Sequence, residues 1–353
     1  MSAEEPSLRS RAQGALVGLA VGDAAGFPSL FHRTARLGRR RSALWRFATQ
    51  LDQQHVLRFL MPMSHGLPDV LSVSATDDGE FAAVAALILL EADGACSSEA
   101  LFAGWQKHVV QVGDDVWSGI AERASIVNAR RGLRPPETGN DNPAHFDDGA
   151  VARAVPVGIR FPGRPDRAAD VARTLAEITN AADGVWAAQS MAAAISAAVD
   201  GAGLPEVIET GRRRIPADSW LGRQMATAMS LAERADSPFD LAAELNDQVA
   251  NWNYSFGAVA PETLASAFAL ALAADGDPMT AIPAAATIAK QADSVPAMVG
   301  AITGALAGVD RLPGTWRARV STLRGICVPA LKGVALCDLA NELIGEAGEE
   351  ASG

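Results

Sequence analysis

The sequence is poor in several features that define whole classes of protein. Three cysteines among 353 residues, without a CxxC pair or a Cys/His cluster, exclude a disulfide framework and a zinc site of the usual spacing. Basic side chains number 30 against 41 acidic ones, and the net charge of −11 disfavours a nucleic-acid or anionic-membrane surface. The longest uncharged runs, residues 184–199 and 294–309, have 16 residues each. Both are shorter than the ~18 residues that a membrane-spanning helix requires.

Signals for export are also missing. The N-terminal segment MSAEEPSLRSR has no apolar stretch of the kind that a secretory signal contains. Together with the acidic charge, this predicts a soluble, cytoplasmic protein that acts on a small molecule or a modified protein and binds neither nucleic acid nor a membrane. No pattern indicates an oligomeric state.

Signals for β-strands are equally scarce. Aromatic residues make up 5% of the chain, with a single tyrosine, and period-two runs are missing. Alanine and leucine, which favour helices, dominate the apolar 49%. Helices are predicted at residues 10–22, 77–93, 97–111, 116–131, 167–178, 184–200, 218–234, 238–251, 261–275, 278–290, 295–309 and 331–345. The pattern predicts an all-α fold, a compact multi-helix bundle forming one domain over residues 1–353, with an irregular lid or loop at 32–69 and a frayed tail at 346–353.

Two stretches carry glycine at every fourth position. They are residues 14–26 and 300–308. This spacing places the glycines on one helix face, where missing side chains let another backbone approach closely. Tight packing inside the chain and helix association between copies both fit, and a soluble chain favours the first.

The least regular part, residues 32–69, concentrates arginines. Six of them lie between Arg33 and Arg46. A solvated loop explains such a run, and so does an anion-attracting rim beside a phosphate-bearing substrate.

The first candidate site is the triplet Thr76-Asp77-Asp78, directly before the apolar run FAAVAALILLE. Carboxylate and hydroxyl oxygens are the ligands that Mg²⁺ prefers. The same residues also suit a helix start, with Thr76 as N-cap and Asp77 and Asp78 complementing the positive helix end. Asp293-Ser294 repeats the arrangement before an Ala/Gly-rich helix. If the two helix starts converge, their oxygens can enclose one cation.

The order of several motifs resembles the ADP-ribosylglycohydrolase family. GALVGLAVGDAAGFP (residues 14–28) is similar to the family's GALLGLALGDALGAP, and TDDGE (76–80) is similar to its TDDT. DDGAVARAVPVG (147–158) resembles GNGAAMRVAPLG, ITNAADGVWAAQ (178–189) stands where the family has a TH-containing segment, and ADSVPAMVGAITGALAG (292–308) resembles the tail of GGDTDTTAAIAGALAG. The resemblance runs from residue 14 to residue 308 and implies the all-helical orthogonal bundle of this family.

The resemblance also implies a chemistry. In that family the two metal motifs hold two Mg²⁺ ions over a ribose. The resemblance therefore implies that the metal ligands of this chain are Thr76, Asp77, Asp78, Asp293 and Ser294. Asp77 or Asp78 would then be the catalytic carboxylate that activates water, and the transition state would resemble an oxocarbenium ion.

Several positions depart from the family pattern. Gln291 stands where the family has the first aspartate of its second metal motif, and Ala289 and Lys290 stand in place of a glycine pair. Leu30 replaces an acidic residue of the family. Asp148 replaces an asparagine, and Asn180 replaces a histidine. Losing one anionic ligand weakens binding of a second cation most, so we expect one firm Mg²⁺ site and one that is weak or absent. We expect the Lys290 side chain to point to the surface rather than towards the missing ligand.

Substrate contacts are expected from Asp148, Gly149, Asn180, Gln291 and Tyr254. Asp148 accepts hydrogen bonds but does not donate them, and it repels phosphate. Tyr254 belongs to the aromatic cluster NWNYSFG, which suits nucleobase stacking and core anchoring alike. Arg153 is expected to form an ion pair within its own loop.

The leading hypothesis is a Mg²⁺-dependent hydrolase that cleaves a ribosyl glycosidic bond in an ADP-ribosylated acceptor or an ADP-ribose derivative. Two alternatives remain open. One is a diverged glycosidase that acts on a nucleoside-like or other riboside. The other is an inactive ligand-binding protein on the same scaffold.

Overall fold

The computed structural model describes residues 5–33, 74–92, 94, 96–251, 253, 256–288, 290 and 294–345, with the backbone alone for residues 27–33 and 114. The α-helices in these residues are α1 (Leu8–Arg33), α2 (Asp77–Glu91), α3 (Ser98–Trp105), α4 (Ile120–Arg130), α5 (Glu137–Asn140), α6 (Gly149–Arg160), α7 (Pro165–Ala176), α8 (Asp183–Asp200), α9 (Leu204–Arg212), α10 (Trp220–Ala232), α11 (Pro238–Gln248), α12 (Ala260–Ala273), α13 (Pro278–Ala285), α14 (Ser294–Ala307), α15 (Gly314–Val320) and α16 (Leu336–Ile344).

The all-α prediction is confirmed for the described residues. Their only β feature is an isolated bridge between Thr322 and Ala335. Buried apolar side chains from the first helix to the last form one contiguous cluster, to which the nearly all-apolar helices α8, α12 and α14 contribute most of their residues. None of the helices described is long and apolar enough to cross a membrane.

Four helices were not predicted. The most important is α6, which carries the candidate substrate loop at its N-terminus and contains Pro156 in its interior. Proline normally breaks a helix there. Every residue from Ala150 to Ile159 is buried, however, and the packing of α6 against α2 and α8 outweighs this local preference. The other three unpredicted helices are α5, α9 and α15.

The two glycine stretches pack against each other within the chain. A methyl group added at Gly14 would overlap the carbonyl of Gly304, and one added at Gly18 would overlap that of Gly300. Near the other end of the contact, Gly22 touches the backbone of Pro296. Helices α1 and α14 are therefore antiparallel and in backbone contact, as the core-packing interpretation predicts.

This contact positions the candidate site. Because Gly22 lies against Pro296, the N-terminal turn of α14 is fixed beside residues 22–23 of α1. The N-terminal turn of α2 is attached to the same turn of α1, through Asp23.

Candidate active site

Asp23 links α1 to the start of α2. Its carboxylate accepts the backbone N–H of Thr76 over 2.6 Å and that of Gly79 over 3.0 Å, and it also accepts the Thr76 hydroxyl. Asp23 is fully buried. A carboxylate that accepts backbone N–H groups at a helix N-terminus is favoured by the positive end of the helix dipole. Asp23 therefore caps α2 from a different helix.

This arrangement contradicts the N-cap interpretation of Thr76. Thr76 occupies the N-cap position, but its side chain makes no capping hydrogen bond. Its hydroxyl donates to Asp23 instead, and its oxygen lies 3.3 Å from Asp77 Oδ1. A hydroxyl whose proton is directed at Asp23 keeps its lone pairs for another partner. Thr76 is thus oriented as a hydrogen-bond donor to Asp23 rather than as a helix cap.

The two aspartates that follow begin α2. Asp77 is half-buried and Asp78 is 7% exposed. The helix start stabilises their negative charge. Hydroxyl and carboxylate oxygens on consecutive residues make a hard-oxygen donor set, which fits a cation such as Mg²⁺ in kind.

The second predicted motif is described in part. Ser294 is 7% exposed and is the first residue of α14, two residues before the Pro296 backbone that touches Gly22. The structure therefore places Ser294 and Thr76 at the same turn of α1, and α14 also contacts α2. Asp293 and Gln291 lie outside the described residues, as does Tyr254. Among the residues that are described, no three His, Cys, Asp or Glu side chains are grouped so as to hold a metal ion.

Glu80 fixes the C-terminal part of the chain to this site. Its carboxylate accepts the consecutive backbone N–H groups of Ile326, Cys327 and Val328, each over 2.7 Å. Glu80 is fully buried. It belongs to the first turn of α2, so a segment some 246 residues away in sequence is held beside Asp77 and Asp78.

The Cys327 thiol lies near several of these acids, and they affect its pKa. Burial raises its pKa, and so do the charges of Asp77, Glu80, Asp23 and Asp78. The thiol is therefore kept protonated, and it packs as an apolar side chain beside the carboxylates.

The predicted substrate loop forms a second buried polar cluster. Arg153 of α6 pairs with Glu122 and donates to Thr179, and its guanidinium lies 5.2 Å from the centre of the Trp105 ring. All four side chains are buried. Arg153 forms a structural ion pair, as expected, but its partner Glu122 lies on α4 and not within the same loop.

Asp147, Asp148 and Gly149 lie at the start of α6. Asp147 accepts the Gly149 N–H over 2.8 Å, and both aspartates are almost fully buried. Burial raises the pKa of Asp147 well above its usual value, and the charges of Glu122 and Asp148 raise it further. A side chain at Gly149 would run into Glu122, so glycine is required by close packing at this position.

The side chain of Asn180 forms its hydrogen bonds with other parts of the protein. Its amide donates to the carbonyls of His145 and Asp147 over 3.1 and 2.8 Å, while its carbonyl oxygen accepts from Thr179 over 2.5 Å. It is 1% exposed. In these contacts Asn180 holds the 145–147 backbone in place, and its predicted contact with substrate stays a prediction.

The expectation for Lys290 was wrong. Its side chain is 4% exposed, and its ammonium lies 3.1 Å from Glu262 Oε2 and 2.5 Å from the carbonyl oxygen of Asn251. Burial lowers the pKa of Lys290, and the charge of Glu262 opposes that shift. The ammonium is drawn inward because Glu262 is itself fully buried and is compensated by it.

A family model described as ADP-ribosylglycohydrolase matches residues 4–352. The chain belongs to the ADP-ribosylglycohydrolase family. A solved structure titled "ADP-ribosylglycohydrolase-related protein complex" is similar in fold, with a TM-score of 0.61 and 22% sequence identity over 96% of this chain and 98% of that one. The search of curated proteins gives no match.

For this ADP-ribosylglycohydrolase-family chain, membership supports a hydrolase of glycosidic bonds. Sequence reasoning missed two acids at the site, Asp23 and Glu80. Asp23 lies in the matched GDAAGFP motif, and Glu80 ends the matched TDDGE motif, so both were visible as part of the resemblance. Their partners were not visible, because those partners are more than fifty residues away in sequence.

Proposed function

We propose that the protein is a Mg²⁺-dependent hydrolase that cleaves a ribosyl glycosidic bond. The observation that carries this proposal is the orientation of Thr76. Its hydroxyl, which would cap the helix in a merely structural role, is turned towards Asp23, while Asp23 does the capping. Thr76, Asp77 and Asp78 thus bring one hydroxyl and two carboxylates together at the positive end of α2.

Thr76, Asp77 and Asp78, with Asp293 and Ser294 from the start of α14, would hold the cation. When bound, such an ion lowers the pKa of water and orients the oxygens of a ribose. The residues of this chain supply the remaining steps. Asp23 orients Thr76, and Asp77 or Asp78 accepts a proton from the attacking water. Negative charge on these aspartates stabilises the positive charge that develops on the ribose ring in the transition state.

We propose one firmly bound cation. Gln291 provides a neutral side chain where the family has an aspartate, and two divalent ions close together need anionic ligands to offset their mutual repulsion. The proposal predicts a stoichiometry near one Mg²⁺ per chain.

The family-typical substrate is an ADP-ribosylated acceptor or an ADP-ribose derivative. A riboside without phosphate is a second candidate, and one observation favours it. Glu122 is compensated by Arg153, and the pKa of Asp147 is raised by burial. This leaves Asp148, an acid where the family has an asparagine, to disfavour a dianionic diphosphate at the start of α6.

Turnover on a defined panel tests the proposal. Purified protein with MgCl₂ is assayed on ADP-ribosylated arginine and serine peptides, ADP-ribose derivatives and nucleosides, with release of ribose or ADP-ribose as the readout. We expect hydrolysis of at least one, lost in Asp77→Asn and Asp78→Asn and kept in Asp170→Asn, which alters an exposed acid on α7. Turnover that survives both site variants, or that persists in EDTA, contradicts the proposal.

A further inference from the structure

Two short segments lie side by side next to the candidate active site. The backbone N–H of Trp117 donates to the carbonyl of Cys327 over 2.8 Å, and the side chain of Arg123 donates to the carbonyl of Val116. Residues 116–117 are thereby fixed against residues 326–327.

Within each segment, neighbouring side chains point in opposite directions. Val116 and Cys327 are fully buried, whereas Trp117 is 49% exposed and Ile326 is 43% exposed. Few large apolar side chains in the described part of the chain are so exposed. One backbone hydrogen bond thus joins the segment with an exposed indole to the segment with an exposed branched aliphatic side chain.

This exposed pair is tied to the residues proposed to do the chemistry. Glu80 binds the N–H groups of Ile326 and Cys327, and Glu80 follows Asp78 by two residues. The exposed pair is therefore held at a fixed place beside the two aspartates through contacts that are themselves buried.

We propose that Trp117 and Ile326 bind the aglycone of the substrate, and that this aglycone is an uncharged planar heterocycle, as in a nucleoside. The inference rests on the proposed function, since it takes the aspartates to mark the position of the ribose. A group attached to the reacting carbon of that ribose lies next to them. The indole face offers stacking to a planar ring, and neither side chain of the pair carries a charge that could bind an ionic group.

Calorimetric titration tests whether Trp117 binds the aglycone rather than another part of the substrate. Wild type, Trp117→Ala, Trp117→Phe and Phe239→Ala are titrated with adenosine, D-ribose and ADP-ribose in MgCl₂; Phe239 is a control because it is similarly exposed, on α11. We expect Trp117→Ala to weaken adenosine binding on the order of ten-fold, with Trp117→Phe and Phe239→Ala within about two-fold of wild type, as loss of one stacked base implies. D-ribose affinity stays the same in all variants, and circular dichroism checks that each is folded.

The outcomes distinguish this inference from the proposed function. Trp117-dependent binding of adenosine without hydrolysis supports the inference while the proposed hydrolase fails. Hydrolysis of ribosides with adenosine affinity unchanged in Trp117→Ala overturns the inference and leaves the hydrolase intact. Absence of adenosine binding to wild type, or Trp117-dependent binding of ADP-ribose but not of adenosine, also overturns it. So does a dimer that Trp117→Ala converts to a monomer without a change in adenosine affinity, which would make the pair an interface between copies.

Discussion

At the scale of single residues, two of the acids around the start of α2 hold the protein itself together. Asp23 and Glu80 each accept three donors from the protein, which assigns them to positioning. Asp77 and Asp78 begin the helix that these two acids hold in place. The proposed function assigns the chemistry to Asp77 and Asp78.

Replacing Asp23 tests its positioning role. In Asp23→Asn the amide oxygen can keep the N–H groups of Thr76 and Gly79, which both donate to Oδ2, while the NH₂ group takes the place of Oδ1 and turns the Thr76 hydroxyl into its acceptor. We expect a loss of about 1–2 kcal/mol in the free energy of unfolding, because a neutral amide replaces a charged acceptor at the positive end of α2. Because Thr76 also loses its orientation, Mg²⁺ affinity should fall as well. Urea unfolding and calorimetric titration with MgCl₂ measure the two effects, and an unchanged Mg²⁺ affinity would contradict the role given to Thr76.

Asp147 should make stability depend on pH. Its folded-state pKa is raised above the ordinary value of 3.8, so the folded chain keeps this proton at pH values where the unfolded chain has lost it. The free energy of unfolding therefore falls as pH rises from the unfolded pKa through the folded one. Asp147→Asn keeps an oxygen for the Gly149 N–H and removes the charge. It should be more stable than wild type at neutral pH and similar to it below the unfolded pKa.

Thermal unfolding across pH measures this difference. The control is Asp170→Asn, an exposed acid whose replacement should leave the wild-type profile unchanged. A stability gain in Asp147→Asn that is the same at every pH would show that packing, and not the raised pKa, is responsible.

At the scale of helices, the sequence predicted the existence of most helices better than the residues at which they begin and end. Alanine-rich periodicity located most helices, yet α1 continues to Arg33, well past its predicted end at residue 22. Helix α6 was missed because Pro156 and the preceding polar loop are local signals, while its burial is a tertiary property. For the same reason Lys290 could not be placed: its partner Glu262 lies 28 residues away and on another helix.

The glycine contact between α1 and α14 predicts a large effect for a small change. In Gly18→Ala the new methyl group meets the carbonyl of Gly300, which is backbone and cannot move aside alone. We expect a loss of about 1–3 kcal/mol in the free energy of unfolding, the usual cost of overpacking. Gly314→Ala is the matched control, since an added methyl group there meets no atom within 4 Å. Equal unfolding midpoints for the two variants would contradict the close contact.

The buried pair Lys290–Glu262 should show coupling between α12 and the segment before α14. Lys290→Met leaves Glu262 buried without its cation, and breaking such a pair costs about 3–5 kcal/mol. Replacing both, as Lys290→Met with Glu262→Leu, should cost less than Lys290→Met alone. A double-mutant cycle by urea unfolding measures the coupling, and additive costs would mean that the two charges do not stabilise each other.

At the scale of the whole molecule, the candidate site joins parts of the chain that are far apart in sequence. Asp23, Thr76 and Ser294 come from three helices that meet at one turn of α1, and Glu80 adds the segment at Cys327. The resemblance to the family indicated three of these segments, because residues 14–28, 76–80 and 292–308 all carry recognisable motifs. The convergence itself depends on Gly22 lying against Pro296, which no local pattern reveals.

Binding of a cation at this junction should stabilise the whole fold. The unfolded chain separates the three segments, so the ion binds the folded state alone and raises the free energy of unfolding by RT ln(1 + [Mg²⁺]/Kd). At a Mg²⁺ concentration of about 100 times Kd, this is about 2.7 kcal/mol. Thermal unfolding at increasing MgCl₂ should show a rising midpoint in wild type and in Asp170→Asn, but not in Asp78→Asn. A wild-type midpoint that does not change with MgCl₂ would show that the folded chain binds no cation preferentially, which contradicts the proposed site.

In Gln291→Asp the restored carboxylate should add a second ion, seen as a stoichiometry of two by calorimetry. A stoichiometry of two in wild type would contradict the role assigned to Gln291.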